Sequence, residues 1–123
     1  MANEGTIWIE GNFIHYIDAS GNEQVVEKLG HANVDKTGTY TTTALDGTVN
    51  ADATSAAFTI TLVTAVGNRG VRQTLAKVDS SGNIVTIDGN GSQTINGATT
   101  YALNNQYDVI VIESDNVNWL IVG

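Results

Sequence analysis

The sequence predicts an all-β fold: a small antiparallel β-sandwich or barrel-like domain preceded by an N-terminal β-hairpin. Three observations predict it. Short runs rich in Thr, Val and Ile recur at a spacing of roughly eight to twelve residues, with clusters of Gly, Asn, Asp or Ser between them. β-branched side chains suit a pleated surface, and Asn and Gly suit the tight turns between strands. No stretch carries a helical period with caps at both ends. The best candidate, residues 23–29 followed by Gly30, is short and reads better as a return strand. Proline is absent, so every turn must be made by Gly, Asn, Asp or Ser.

The elements follow in order. Residues 6–9 and 13–17 are β-rich on either side of Glu10-Gly11-Asn12, giving a strand pair or one interrupted strand. Asp18-Ala19-Ser20-Gly21-Asn22 has the composition of a turn ending in a left-handed Gly, and residues 23–27 return from it. A lone hairpin is marginal in water, so this unit is expected to pack on something else. Residues 30–36 are polar and patternless and read as a linker. The expected division is therefore an attachment segment and linker over residues 1–35 and a sandwich domain over residues 36–123. In that domain strands are expected at residues 39–43, 48–51, 57–63, 71–79, 84–87, 99–103, 107–113 and 119–122. Phe58, Ile60 and Leu62 alternate with Thr59 and Thr61, which puts the apolar set on one face. Asp46-Gly47 and Asn96-Gly97 are strong hairpin dipeptides.

Two strands break the alternation. Val109, Ile110, Val111 and Ile112 are apolar on both faces, as are Trp119, Leu120, Ile121 and Val122. A strand of a two-layer sandwich has one wet face, so a second cover is needed. Another subunit is the simplest cover, and a long loop of the same chain is the alternative. The expected oligomer interface is Val109, Val111, Ile112, Trp119 and Ile121. Closed symmetric assembly would also remove the aggregation hazard of such runs.

Charge and composition exclude several function classes. The chain carries 5 Lys+Arg against 13 Asp+Glu, a net charge of -8, and the cations are scattered. No basic stripe exists to displace counterions from a phosphate backbone, so neither nucleic acid nor an anionic membrane is an expected partner. No apolar run reaches the ~20 residues of a spanning helix. The opening residues show neither a basic region nor an apolar stretch of signal length, so the chain is expected to be made in a cytoplasm without standard secretion. Without cysteine there are no disulfides and no Cys-based zinc site.

The residues that could carry chemistry read more simply as structure. His15 lies in a strand and His31 in the linker, and neither belongs to a spaced metal pair. Residues 79–83 and 88–92 faintly resemble calcium loops but lack a distal bidentate Glu, and Asp, Gly and Asn are also what turns require. Asp46, Asp52, Asp88, Asp108, Glu113 and Asp115 fall in turns or at strand ends, and nothing selects two of them as a glycosidase pair. Gly89-Asn90-Gly91 lacks the third Gly and the helix of a dinucleotide site. No catalytic residue, cofactor or metal is expected.

Four blocks, in order, resemble segments of tailed-bacteriophage fibre and capsid decoration proteins. They are residues 48–62 (TVNADATSAAFTITL), 64–68 (TAVGN), 85–97 (VTIDGNGSQTING) and 111–119 (VIESDNVNW). The resemblance implies a trimeric β-domain on the virion surface, with no catalytic residues to carry over. Val63 departs from it, because such proteins often have Pro before the Thr-Ala-Val turn. On this reading the protein is a capsid decoration (cement) or head-fibre protein. The alternative is a tail-fibre or baseplate component that binds a host receptor or glycan. Residues 1–33, with Trp8, Phe13 and Tyr16, would attach to the major capsid protein or another virion protein, while the remainder forms a homotrimer.

Overall fold

The computed structural model describes residues 7–10, 13–17, 20, 22–28 and 32–123. These residues form strands and contain no helix. The chain divides into two compact units, Met1–His31 and Ala32–Gly123.

In the first unit β1 (Ile7–Glu10), β2 (Phe13–Ile17) and β3 (Glu23–Lys28) form an antiparallel sheet in the order β1-β2-β3. The one helix candidate is thus a strand: Val25 pairs with His15 and Glu23 with Ile17. The expected hairpin is a three-stranded meander.

The second unit opens with β4 (Ala32–Lys36), so most of the expected linker is a strand, and the boundary falls before Ala32 rather than after Asp35. Its sequence is polar because β4 is an edge strand, largely exposed, where charge blunts unwanted pairing. Next come β5 (Tyr40–Thr41), β6 (Asp46–Ala51), β7 (Phe58–Thr61), β8 (Arg72–Lys77), β9 (Val85–Asp88), β10 (Thr100–Leu103), β11 (Val109–Ser114) and β12 (Trp119–Ile121). They build a five-stranded sheet, order β12-β11-β8-β6-β4, and a four-stranded sheet, order β10-β9-β7-β5.

These two sheets are mixed, not antiparallel. From β4 to β9 the chain lays successive strands on opposite sheets. Neighbours within a sheet are therefore two apart in sequence and run the same way: β4 with β6, β6 with β8, β5 with β7, and β7 with β9. Parallel strands need a crossover, and here a strand of the facing sheet serves where an α/β protein would use a helix. Antiparallel pairing appears only where β10, β11 and β12 close the ends. This topology also cancels the hairpin expected at Asp46-Gly47. The turn lies just before it, closed by Asp46 N donating to Thr43 O at 3.1 Å, and it carries the chain from one sheet to the other. Asn96-Gly97 does form the expected tight turn: both residues have positive φ, 49° and 84°, and Ile95 and Ala98 exchange backbone hydrogen bonds.

The core lies between the two sheets. Val49, Ala51, Leu75, Ile110, Ile112 and Trp119 face Phe58, Ile60, Val85, Ile87 and Leu103, and Leu62, Ala65 and Ile95 fill in from the connections. Phe58, Ile60 and Leu62 point inward as their alternation requires. Val63 uses the N–H that a Pro at this position would lack: it donates to Thr42 Oγ1 at 2.9 Å.

Gly89 is fixed by a close approach. A Cβ there would sit 2.1 Å from the backbone oxygen of Gln93, whereas one at Gly82 meets nothing within 4 Å. Gly89→Ala is expected to destabilise the unit by about 1–3 kcal/mol or more. Gly82→Ala should leave stability unchanged or raise it by up to ~1 kcal/mol. Urea denaturation of the two variants separates them, and equal midpoints would show that the loop yields freely.

Candidate interaction surface

The polar groups inside the second unit are spent on structure. Gln73 and Thr42 are buried. Thr42 Oγ1 donates to Gln73 Oε1 at 2.9 Å, and Gln73 Nε2 donates to the carbonyls of Thr43 at 2.7 Å and Asp46 at 3.2 Å. Lys77 is fully buried and pairs with Asp79, Nζ to Oδ2 2.7 Å. Asp79 also accepts from the backbone N–H of Ala53 at 2.7 Å and of Ser81 at 3.0 Å, and from the Ser81 hydroxyl. Burial alone would push the Asp79 carboxyl up, but Lys77, Ser81 and Ala53 outweigh it and hold the group below the usual carboxylate range.

Asp46, Asp52, Asp108 and Asp115 cap turns or partner side chains. Asp46 Oδ2 accepts from Tyr40 Oη at 2.6 Å and Thr43 N at 2.9 Å. The bond to Asp46, with burial and the carboxylate charge, pushes the Tyr40 phenol up to about 12. The hydroxyl and backbone N–H of Thr54 hold Asp52 low, and the backbone N–H groups of Asn118 and Val117 hold Asp115 low. Asp108 accepts from Asn104 N and Asn105 N. Among the described residues no group of three or more His, Cys, Asp or Glu side chains is placed to hold a metal. His15 is buried in β2, and His31 lies outside the described residues. The strands holding Trp8, Phe13 and Tyr16 are described, and their side chains lie outside what is described.

What remains is surface, and the pleat decides it. In β11, Ile110, Ile112 and Ser114 point into the core while Val109, Val111 and Glu113 point out. Glu113 stands opposite Leu120, so Leu120 also points out, whereas Trp119 and Ile121 point in. This divides the expected interface set. Ile112 and Trp119 are fully buried in the core of their own chain, with Trp119 Nε1 donating to Val63 O at 3.2 Å, and Ile121 packs against that core. They are not available to a partner. Val109 (52 % exposed) and half-buried Val111 are on the open face. Leu120 (43 %) and Val122 (44 %) are also open and were missed, although the register that reveals Leu120 follows from ordinary alternation out of Trp119. The outer face of the five-stranded sheet is thus apolar along β11 and β12. It is polar along β6 and β4, where Asn50 Nδ2 donates to Asn33 Oδ1 at 2.6 Å and Asp35 Oδ1 at 3.1 Å.

Tyr107 stands at the head of β11, 74 % exposed, with φ at +68°. Bulky residues rarely take this left-handed conformation, which costs about 1–3 kcal/mol. It is held by Tyr107 N donating to Lys77 O at 2.7 Å and by the turn in which Asp108 N donates to Asn105 O at 3.1 Å.

Comparison with protein-family models and with curated proteins finds no match.

The buried Lys77–Asp79 pair sets an acid response. Above an unfolded-state carboxylate pKa of about 3.9, ionised Asp79 contributes its full stability. As pH falls from there toward its lower folded-state pKa, the unfolded chain takes up the proton first and stability drops. The thermal midpoint is expected to fall between about pH 5 and pH 2. Asp79→Asn should start lower at pH 7, because it leaves Lys77 without its counter-charge, and should lose less over the same interval. Parallel slopes for the two proteins would assign the acid response to other carboxylates.

Proposed function

We propose that the protein is a virion structural component of a tailed bacteriophage, a trimeric capsid decoration or head-fibre protein, and not an enzyme. The observation that carries this reading is the division into a small three-stranded unit and a separate all-β body. Attachment and display are two tasks, and two units of unequal size suit them. The four sequence blocks that resemble phage fibre and decoration proteins lie within the body and support the same reading. The acidic surface supports solubility at high copy number on a particle. It also argues against nucleic acid as a partner: Lys77 is buried and Arg72 is paired with Glu113 at 3.0 Å. Residues 1–33 are the proposed contact with the major capsid protein or a neighbouring virion protein.

One feature favours the alternative, a receptor- or glycan-binding tail component. Val66 and Val117 are 57 % and 61 % exposed on neighbouring loops. Those loops are fixed by Gly67 N donating to Asn116 Oδ1 at 2.8 Å and by Ser114 Oγ donating to Ala65 O at 2.6 Å. A rigid apolar tip is a binding device if a host ligand meets it.

Removing residues 1–31, which spares β4, tests the first reading. The shortened protein should stay folded and lose co-sedimentation with undecorated phage particles, while the full chain binds them. Retained binding after the deletion would move the attachment site into the body. Binding to host cell envelopes that is abolished by Val66→Glu would favour the tail reading.

A further inference from the structure

We propose that Asn96-Gly97 is a site of spontaneous covalent modification, and that the docking of β12 decides when it reacts. The proposal does not depend on the virion reading.

When glycine follows asparagine, the next backbone nitrogen is unhindered by a side chain and readily attacks the asparagine amide. The chain has two such pairs, Asn90-Gly91 and Asn96-Gly97. At the second, Gly97 N would lose its proton to base and attack Asn96 Cγ. The new N–C bond closes a succinimide ring, and the side-chain nitrogen leaves as ammonia. Water then opens the ring at either carbonyl. One product carries aspartate, and the other carries isoaspartate, in which the backbone runs through the β-carbon. Asn96 and Gly97 are both exposed to that water.

The turn blocks the first step while it stands. Asn96 and Gly97 have φ of 49° and 84°, and they lie inside the two hydrogen bonds, 2.6 and 3.1 Å, that join Ile95 and Ala98. Two positive φ values in a two-residue hairpin make a type I′ turn, whose first central residue takes ψ of about +30°. In an L residue that ψ turns the following nitrogen away from Cβ. Gly97 N therefore faces away from Asn96 Cγ, and ring closure requires the peptide to swing round and break the turn.

β12 holds the turn closed. Asn96 N donates to Trp119 O at 3.0 Å, Trp119 N to Thr94 O at 2.8 Å, and Ile121 N to Asn96 Oδ1 at 2.8 Å. The carboxamide that would react is thus the acceptor that ties down the last strand. Asn90 is tied elsewhere, its Nδ2 donating to Leu62 O at 3.3 Å. The two products at position 96 differ in consequence. Aspartate keeps an oxygen for Ile121 N. Isoaspartate adds a backbone atom to a turn that closes with two residues, so the bonds to Ala98 and β12 cannot all re-form. β12 is then left with an uncovered edge, which natural sheets avoid. The modification is a one-way record of β12 having lifted.

The test is to age the full chain at mildly alkaline pH and follow both sites by peptide mapping with isoaspartate detection. In native buffer Asn96 should react about ten-fold or more slowly than in urea. Ile121→Pro removes the N–H that holds Asn96 Oδ1. It should bring the Asn96 rate toward the urea value and leave the Asn90 rate as in the native wild type. Chain carrying isoaspartate at position 96 should melt below the unmodified chain, and Asn96→Asp should melt close to it. A wild-type Asn96 that reacts as fast folded as in urea overturns the block. An Ile121→Pro chain whose Asn96 stays slow shows that β12 is not the gate. Equal acceleration at Asn90 and Asn96 in that variant means the body opens as a whole, and it too overturns the local gate.

Discussion

The strands of residues 32–123 send alternate side chains into one core, and that core has two facing layers because successive strands from β4 to β9 lie on opposite sheets. Val49 of β6 and Leu75 of β8 share one core cluster with Ile60 of β7 and Ile87 of β9 from the other sheet. The pleat supplies the in-out alternation, and the crossing of the chain from sheet to sheet supplies the facing layer. The outward faces, the turns and the buried polar groups are consequences of that winding. Where the chain crosses between layers, backbone groups leave the sheet ladders and need other partners. Asp46, Asp79, Gln93 and Ser114 provide them.

The buried polar residues therefore act as register devices. Gln73 sits in a central strand, yet its amide is saturated by Thr42, Thr43 and Asp46, which fixes the crossing between β5 and β6. Lys77 and Asp79 do the same for the segment after β8, with Asn83 Nδ2 donating to Ala53 O. Each network is complete, with no buried side-chain polar atom left unpartnered among the described residues. A complete network penalises any slipped arrangement, because a slip would strand a buried charge or amide.

Much of this was legible in the sequence, and the failures have physical reasons. Strand positions in the body follow from β-branched runs and turn clusters, and Asn96-Gly97 turned where its chemistry demands. Strand direction did not follow, because Phe58, Ile60 and Leu62 alternate identically in parallel and antiparallel ladders. Asp46-Gly47 has the composition of a hairpin, and only tertiary winding makes it the start of a strand. Residues 32–36 looked like a linker because an exposed edge strand is polar. The runs at 109–112 and 119–122 are apolar on both faces. The composition could not say which half each core claims: Ile112 and Trp119 went inward, and Val109 and Leu120 stayed out.

The position of Trp119 has a consequence for how the protein comes to be folded. This side chain is fully buried against residues contributed from Val49 onward, and the body's central pairings join segments far apart in sequence. The core is complete only once residues through Trp119 are in place. Pairing between segments this far apart slows folding, and β-branched runs wait for their partners. The excess of 13 Asp and Glu over 5 Lys and Arg gives the waiting chain a net like charge that opposes its association with others.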